Sequence, residues 1–226
     1  MKAAVITFPA SNCDRDAITT LQKYTDKVDN IWHQESSLDN GYDLIIIPGG
    51  FSYGDYLRCG AMAKISPVMN EVKRLANRGT RVLGICNGFQ ILTEIGLLPG
   101  ALMRNKGIKF ICKDVHLRVE NNQNSFAKDY KVGQVIRIPI AHADGNYFAD
   151  GETLKSLEDN NNIVFRYCNA NGNITDDSNP NGSQLNIAGI CNDAGNVLGM
   201  MPHPERAVDK TTGSTDGVAM FKGLFF

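Results

Sequence analysis

Short hydrophobic runs alternate with helix-spaced segments along roughly the first hundred residues of the chain. Four runs are apolar or alternating over strand length and predict β-strands: 2–8, 27–33, 42–50 and 81–86. Three segments carry apolar residues at helical spacing: 12–25, 65–78 and 87–96. A repeated strand–helix order favours a parallel sheet with right-handed crossovers and with helices covering both faces.

The pattern changes between about residue 107 and residue 200, where the apolar runs become shorter and the connections are rich in Gly and Asn. The short runs lie at 109–119, 134–142, 162–168, 186–191 and 196–202. This spacing is typical of antiparallel hairpins, and Asn192–Asn196 (NDAGN) is a good hairpin turn. Residues 157–184 contain eight asparagines, and we expect them to form a mobile excursion.

These patterns together predict an α/β fold of flavodoxin-like type, with a mostly parallel sheet, helices on both faces and an antiparallel extension in the second half. No internal repeat or low-complexity linker divides the sequence. We therefore predict a single domain over 1–226, in which 107–200 forms the largely antiparallel extension.

The nearly equal numbers of basic and acidic residues argue against partners that bind through a strong electrostatic field. The 226 residues include 42% hydrophobic side chains, with 23 basic and 24 acidic ones and a formal net charge of -1. Such a chain offers no strong field to nucleic acid or to an anionic membrane. No apolar run approaches the roughly 20 residues of a membrane span. The N-terminal apolar stretch passes directly into polar residues, which predicts a first strand and not a signal peptide.

The cysteines indicate a reducing compartment. The six of them form no CxxC pair and no zinc-ligand spacing. Because a secretory signal is not expected, free thiols in the cytoplasm are favoured over a disulfide framework.

The segment GICNG places Cys86 where a buried strand passes into a helix. A nucleophile on such a turn projects from the sheet edge, and Gly84 and Gly88 remove side chains that would crowd it. The positive end of the following helix favours the thiolate over the thiol. Cys86 is therefore a candidate nucleophile. The alternative is a buried cysteine that closes a strand, which is common among free cysteines.

A cysteine nucleophile in acyl transfer needs a base and a group that orients the base. His203 stands between two prolines after a strand, and Glu205 is two positions further on. Pro204 favours an extended conformation at His203, in which residues i and i+2 point the same way, so we expect the carboxylate to accept the imidazole N–H. One alternative is a solvated loop with an ion pair to Arg206. Another is a metal pair, which lacks a further ligand at suitable spacing.

The other three histidines are weaker candidates. His142 ends a strand-like run and is either a pocket residue or, as we favour, a polar strand end. His33 and His116 lie in strand-like runs and are expected to be ordinary strand residues.

A second glycine corner follows the strand predicted at 42–50. Glycine backbone N–H groups can approach a tetrahedral oxyanion closely, and one such donor lowers a barrier by ~3 kcal/mol. If this strand neighbours the strand before Cys86, the Gly50 region and the N–H of Asn87 converge on the thiol. The excess of glycine and aromatic residues here, with Arg58, favours a functional loop over a turn that only reverses the chain.

Three motifs together resemble one family: PGGFSYGD, GICNGFQIL and MMPHPE. In them the chain is similar to the class I, or triad, glutamine amidotransferases. The stretches GGFSYGDYLRCGAMA and ITFPASNCDRD resemble, more narrowly, the glutaminase subunits of phosphoribosylformylglycinamidine synthase. The motifs extend from residue 6 to residue 205. Ala10 stands where the family usually has glycine, so we expect a tight turn there to be altered.

The resemblance implies roles for six residues: Cys86, His203 and Glu205 as the triad, Gly50 and Asn87 as oxyanion contacts, and Gln90 as a glutamine contact. Gln90 lies one helical turn after the nucleophile and shares its helix face. The implied reaction is hydrolysis of the side-chain amide of glutamine through a thioester, with release of ammonia. No metal and no cofactor is expected in this chain.

The resemblance also implies partners. It implies a large ATP-dependent synthase, with ATP and Mg, that converts formylglycinamide ribonucleotide to formylglycinamidine ribonucleotide in purine biosynthesis, and a small accessory subunit. The sequence has no Walker-type GxxxxGK[ST] loop of its own. One rival is a DJ-1/PfpI-like cysteine protein with a redox or glyoxalase-type role, against which the HPE segment and Gln90 argue. Another is a non-catalytic flavodoxin-like binding module with a decayed site, against which the intact trio argues.

Overall fold

The computed structural model describes residues 1–55 and 59–226. Arg58, singled out above in the glycine-rich loop, lies outside the described residues. The larger group of strands comprises β1 (Ala3–Thr7), β2 (Val28–Trp32), β3 (Leu44–Ile47), β4 (Arg81–Ile85), β6 (Ile111–Val119), β7 (Val135–His142), β9 (Ile163–Cys168), β10 (Ile187–Cys191) and β11 (Val197–Met200). Two shorter strands are β5 (Ala101–Met103) and β8 (Asn146–Phe148).

The helices of the described residues are α1 (Asp14–Leu21), α2 (Cys59–Lys64), α3 (Val68–Asn77), α4 (Asn87–Glu94), α5 (Gly151–Asp159) and α6 (Val218–Phe225). Short 3-10 turns lie at Ser52–Asp55, Asp176–Ser178, Gln184–Asn186, Pro204–Arg206 and Lys210–Thr212. Within this part of the chain, no helix has the length and apolar character needed to cross a membrane.

The central sheet has nine strands in the order β2-β1-β3-β4-β11-β10-β9-β6-β7, and β5 pairs with β8 in a separate two-stranded sheet. All pairings from β2 to β11 are parallel. All pairings from β11 to β7 are antiparallel. The predicted α/β class, with a largely parallel sheet and an antiparallel extension, is confirmed.

Strand β11 occupies a different place from the one expected. Its residues fall in the segment assigned to the antiparallel extension, and it does form a hairpin with β10 across the predicted turn. On its other side it pairs in parallel with β4. It therefore joins the two halves of the sheet. That one domain spans 1–226 stays a prediction.

Burial explains why the strand-like runs differ along the chain. Every residue of β3 is buried, as a strand between two covered faces requires. In the second half of β6 the buried residues Val115, Leu117 and Val119 alternate with more exposed ones, which is typical of a strand with one covered face. In α3 the buried residues Val68 and Val72 are spaced one turn apart, so one helix face packs inward.

The asparagine-rich segment is held in place, contrary to the expected mobile excursion. Its first part ends α5 and forms β9, an interior strand of the sheet. Beyond β9, Asn181 is buried and its side chain donates to the carbonyl of Gly145 at 2.8 Å. Asn179 donates to the carbonyl of Ser183, also at 2.8 Å. Asparagine side chains that bond backbone groups stabilise irregular turns, so the composition here supports a fixed loop.

Candidate active site

The carboxyl ends of four neighbouring parallel strands meet at one edge of the sheet. In spatial order these are β1, β3, β4 and β11. Ligands of open α/β sheets bind in the crevice outside such ends. Cys86 directly follows β4, and its backbone N–H donates to the carbonyl of Met200, the last residue of β11, at 2.8 Å. This edge therefore brings the cysteine corner beside the segment that carries His203.

Cys86 adopts a strained backbone conformation at the start of α4. Its φ of 52° and ψ of -106° lie where residues other than glycine rarely stand. Such strain is typical of nucleophiles on a sharp strand-to-helix turn. The side chain is buried, and the Sγ–H points to the carbonyl of Ala141 at 3.7 Å. The structure places Cys86 on the wall of a cleft at the sheet edge.

The glycines on either side of Cys86 act through packing. A Cβ at Gly88 would stand 1.9 Å from the carbonyl oxygen of Ile47 in β3. A Cβ at Gly84 would stand 2.7 Å from the backbone of Gly88. The expectation that these glycines clear space around the thiol is thus replaced by another reason: they let α4 approach β3 and β4 closely.

His203 and Glu205 form a buried pair. The Nδ1 atom of His203 lies 2.7 Å from a carboxylate oxygen of Glu205, and the two side chains are each 1% exposed. The backbone between them differs from the extended segment predicted, because Pro204–Arg206 forms a 3-10 turn. The carbonyl of Glu205 accepts from the hydroxyl of Thr20 at 3.0 Å, which ties this turn to α1.

Gly49 allows His203 and Cys86 to come together. A Cβ at Gly49 would stand 2.7 Å from Cε1 of His203 and 3.0 Å from Cβ of Cys86. Only a glycine fits between these two side chains. The run PGG at the end of β3 contains this signal, yet Gly50 and not Gly49 was the residue selected from sequence.

The charge of the pair sets the proton affinity of the imidazole. Burial alone would lower the pKa of His203, but the Glu205 carboxylate and the adjoining thiols of Cys13 and Cys86 together raise it well above its usual value. The Nε2 atom of His203 is buried and has no hydrogen-bond partner among the described residues. The imidazole of His203 is therefore placed to carry a proton beside the two thiols.

Cys13 is a second thiol in the same place, and the sequence reasoning missed it. Its Sγ, a ring nitrogen of His203 and a carboxylate oxygen of Glu205 all lie within 4.8 Å of one another. Among the described residues, these three side chains form a cluster of the kind that could bind a metal ion. Arg206 donates to this sulfur at 3.2 Å and also bonds the carboxylate of Asp16 at 2.9 Å. The alternative of an incidental ion pair between Glu205 and Arg206 is therefore not what the structure shows.

The predicted oxyanion residues lie on the cleft wall. Strands β3 and β4 are neighbours, as that prediction required, and both Gly50 and Asn87 line the cleft. Gly50 has a φ of 91°, and a Cβ there would stand 2.0 Å from the side chain of Asn12. The side-chain oxygen of Asn87 accepts from the backbone N–H of Ser52 at 2.9 Å. Asn87 thus fixes the loop after Gly50 in addition to offering its own N–H.

Gln90 is held across the cleft. Its amide nitrogen donates to the carbonyl of Asp144 at 2.6 Å, and its amide oxygen accepts from the side chain of Asn87 at 2.7 Å. The helix places it beside Cys86, whose carbonyl accepts from the Gln90 N–H at 3.2 Å. The structure therefore brings all six predicted site residues to one cleft or to its buried wall.

His142 also lines this cleft, although a polar strand end was favoured for it. It is the last residue of β7 and is 3% exposed. Its sequence run indicates only a strand, since nothing in the run shows that β7 packs against the segment that follows β11. The pairing of His203 N–H with the carbonyl of Pro139 at 2.9 Å makes that connection.

Comparison with known proteins agrees with this geometry. A family model described as the CobB/CobQ-like glutamine amidotransferase domain matches residues 1–220. The phosphoribosylformylglycinamidine synthase subunit PurQ of Synechocystis sp. is 62% identical, over 96% of this chain and 97% of that protein. The subunit of the same name from Acaryochloris marina is 56% identical over 99% of this chain and 95% of its own. A chain in the solved structure of PurLQS from Thermotoga maritima is 46% identical, with a TM-score of 0.86 over 99% of this chain and 96% of that one.

Proposed function

The chain belongs to the CobB/CobQ-like glutamine amidotransferase family, and from that premise we propose that it is the glutaminase subunit of a phosphoribosylformylglycinamidine synthase. The observation that carries the proposal is the strained Cys86 beside the buried His203–Glu205 pair. A chain of this family with that trio has the parts that amide hydrolysis needs. The roles of the six site residues are part of the same proposal.

The reaction begins with attack of the Cys86 thiolate on the side-chain amide carbon of glutamine. The N–H groups of Gly50 and Asn87 hold the oxyanion. The His203 imidazolium gives its proton to the amide nitrogen, the C–N bond breaks, and ammonia leaves with a thioester on Cys86. His203 then takes a proton from water, whose oxygen attacks the thioester, so that glutamate is released and the thiolate returns. Glu205 orients the imidazole and stabilises its charged form.

The ammonia is passed to a larger partner, because in bulk water it would be protonated and lost. That partner is an ATP-dependent synthase, with ATP and Mg in its own site, which converts formylglycinamide ribonucleotide to formylglycinamidine ribonucleotide. A small accessory subunit completes the complex. The relative from Thermotoga maritima, described as PurLQS, supports this assembly. The location we propose is the cytoplasm, where the free thiols of Cys13, Cys86, Cys112, Cys168 and Cys191 stay reduced.

The DJ-1/PfpI-like rival is not favoured. It accounts for a cysteine at a strand-to-helix corner, but the HPE segment around His203 and the residue Gln90 argue against it. Family membership over residues 1–220 favours the amidotransferase over it.

The test uses the chain reconstituted with its synthase and accessory subunit. Cys86→Ala should abolish synthesis with glutamine and leave synthesis with added ammonium unchanged. Cys112→Ala, on an exposed position of β6, is the matched control and should behave as the wild type. Treatment with 6-diazo-5-oxo-norleucine should label Cys86 and no other cysteine, as read by mass spectrometry. Glutamine-dependent synthesis that survives in Cys86→Ala would overturn the proposal.

A further inference from the structure

The hydrogen bonds of Asn105 fix the tautomer of His142. The amide nitrogen of Asn105 donates to two backbone carbonyls, those of Lys109 at 2.8 Å and His142 at 2.9 Å. Its amide oxygen accepts from the backbone N–H of Gly145 at 3.0 Å and lies 3.0 Å from Nδ1 of His142. An amide oxygen only accepts, so Nδ1 of His142 carries the hydrogen, and Nε2 of the neutral ring holds a lone pair.

That lone pair meets no donor in the part of the chain that the structure describes. Nε2 of His142 is buried and lacks a hydrogen-bond partner within residues 1–55 and 59–226. The ring packs directly against Gly145, where an added Cβ would stand 2.3 Å from it. Burial above all, and then the charge of His203, lower the pKa of His142 to about 4, so the ring stays neutral near pH 7. A buried acceptor without a donor is costly, and such atoms call for a bound group or water.

His142 lines the same cleft as Cys86, Gln90 and His203. We propose that Nε2 of His142 accepts a hydrogen bond from an N–H group of glutamine bound in this cleft. The inference rests on the proposed function and adds a substrate contact to it. The residue is then substrate-binding, and Asn105 is the positioning residue that sets its tautomer.

Two nitrogen atoms of glutamine offer the required chemistry. The carboxamide nitrogen sits at the reacting end and becomes ammonia. The α-ammonium nitrogen sits at the other end of the substrate. Both are N–H donors, and a neutral imidazole accepts from either. A hydrogen bond to the carboxamide nitrogen would still be made to that nitrogen as it leaves as ammonia. A hydrogen bond to the α-ammonium group would fix only the position of the substrate.

The deciding variant is His142→Asn in the full complex. Asparagine keeps an N–H donor for the Asn105 oxygen but removes the acceptor at the position of Nε2. We expect kcat/KM with glutamine to fall by roughly 10-fold or more, as for the loss of one buried hydrogen bond to substrate. Synthesis with added ammonium should not change, which also shows that the variant folds and assembles. His142→Gln, which places an amide oxygen near the same position, should restore part of the loss.

The matched control is His116→Asn, on the neighbouring strand β6. It should leave kcat/KM with glutamine within about twofold of the wild type. Glutaramate has the carboxamide of glutamine but lacks the α-amino group. Its inhibition constant as a competitive inhibitor therefore tells which of the two nitrogen atoms contacts His142. An inhibition constant that His142→Asn weakens assigns the contact to the carboxamide, and an unchanged one assigns it to the α-ammonium.

The proposal is overturned if His142→Asn matches the wild type in kcat/KM with glutamine. A wild-type complex that does not hydrolyse glutamine would instead contradict the proposed function. In that case calorimetric binding of glutamine to the wild type and to His142→Asn decides the contact by itself, since equal affinities would exclude it.

Discussion

Nδ1 of His203 lies 2.7 Å from Oε1 of Glu205, and each side chain is 1% exposed. Because both side chains are buried, water screens the attraction between the imidazolium and the carboxylate only weakly. Burial lowers the pKa of His203, but the Glu205 carboxylate and the adjoining thiols of Cys13 and Cys86 together outweigh that effect, so the folded chain binds a proton on His203 more tightly than the unfolded chain does. This difference makes the stability of the fold depend on pH.

Glu205→Gln should destabilise the fold more at about pH 6 than at about pH 8.5. The raised pKa of His203 contributes stability that is complete below the unfolded value of about 6.5 and is lost as pH rises toward the folded value. The variant lacks the carboxylate, so burial lowers the pKa of its His203 and reverses the slope. Urea unfolding of both proteins at the two pH values measures the difference.

Glu71→Gln is the control for that experiment. Arg74 and the backbone N–H of Leu38 lower the pKa of Glu71 to about 2, so its contribution is complete above the unfolded carboxyl value and constant across this range. Its effect should be the same at both pH values. A Glu205→Gln deficit that is likewise constant would contradict the assigned charge of the His203–Glu205 pair.

The conformation of Cys86 should be measurable as stored strain. Cys86→Gly and Cys86→Ala both remove the thiol, but only glycine adopts a φ of 52° and a ψ of -106° without strain. We expect the glycine variant to be the more stable of the two by about 1 kcal/mol in urea unfolding. At Cys191 in β10 the order should reverse, because glycine weakens an ordinary strand. Equal stabilities at position 86 would show that the corner is not strained.

Gly88→Ala should be strongly destabilising. The new Cβ would meet the backbone of Ile47, which cannot move without breaking the pairing of β3 with β4. We expect a loss of ~3 kcal/mol in the free energy of unfolding. Gly151→Ala, where nothing lies within 4 Å of the added Cβ, serves as the comparison and should be neutral or slightly stabilising. Thermal unfolding of the two variants tests the pair, and similar midpoints would refute the close approach of α4.

Tyr53 should act as a positioning residue for the loop that begins at Gly50. Tyr53 itself has a left-handed φ of 57°, and its hydroxyl lies 2.8 Å from Oγ of Ser66 and 3.1 Å from Nδ1 of His33. Tyr53→Phe keeps the ring but loses this anchor. We expect kcat with glutamine to fall by roughly 10-fold, which is less than the loss in kcat on removing one oxyanion donor outright. KM should change less than kcat.

Steady-state kinetics of the complex measure the Tyr53 effect. Tyr24→Phe, at a ring that stacks on Phe221 and Phe225, is the control and should leave kcat as it is. A Tyr53→Phe complex with unaltered kcat would remove Tyr53 from the positioning of Gly50. His33, expected to be an ordinary strand residue, takes part in this anchor through its buried ring.

Much of the fold and the trio of site residues could be predicted because their signals are local. β1, β3 and β4 lie in short, largely apolar runs, which are typical of buried strands in a parallel sheet. The corner at Cys86 needs glycines within two positions of it, and His203 and Glu205 are close in sequence. At Ala10 an altered turn is expected, but the backbone there keeps the left-handed conformation, with a φ of 63°. Alanine adopts the conformation that glycine would prefer.

The rest depends on strand order, which no local pattern contains. Cys13 and His142 reach the site only because β1 and β7 bring their ends to the same edge as β4 and β11. The three-residue strands β5 and β8 are too short to show a periodicity. The asparagine-rich loop looked mobile because its stabilising partners, such as the carbonyl of Gly145, come from distant residues.

Strand β11 is the last strand to be synthesised, yet it lies in the middle of the nine-stranded sheet, between β4 and β10. Until the ribosome has made it, the growing polypeptide has two open sheet edges that can pair with other chains. At that stage the growing polypeptide contains Cys86 but not yet His203. A nascent chain therefore has no means of releasing ammonia before the residues up to Glu205 have been made, and chaperone protection of β4 and β10 would matter most during that interval.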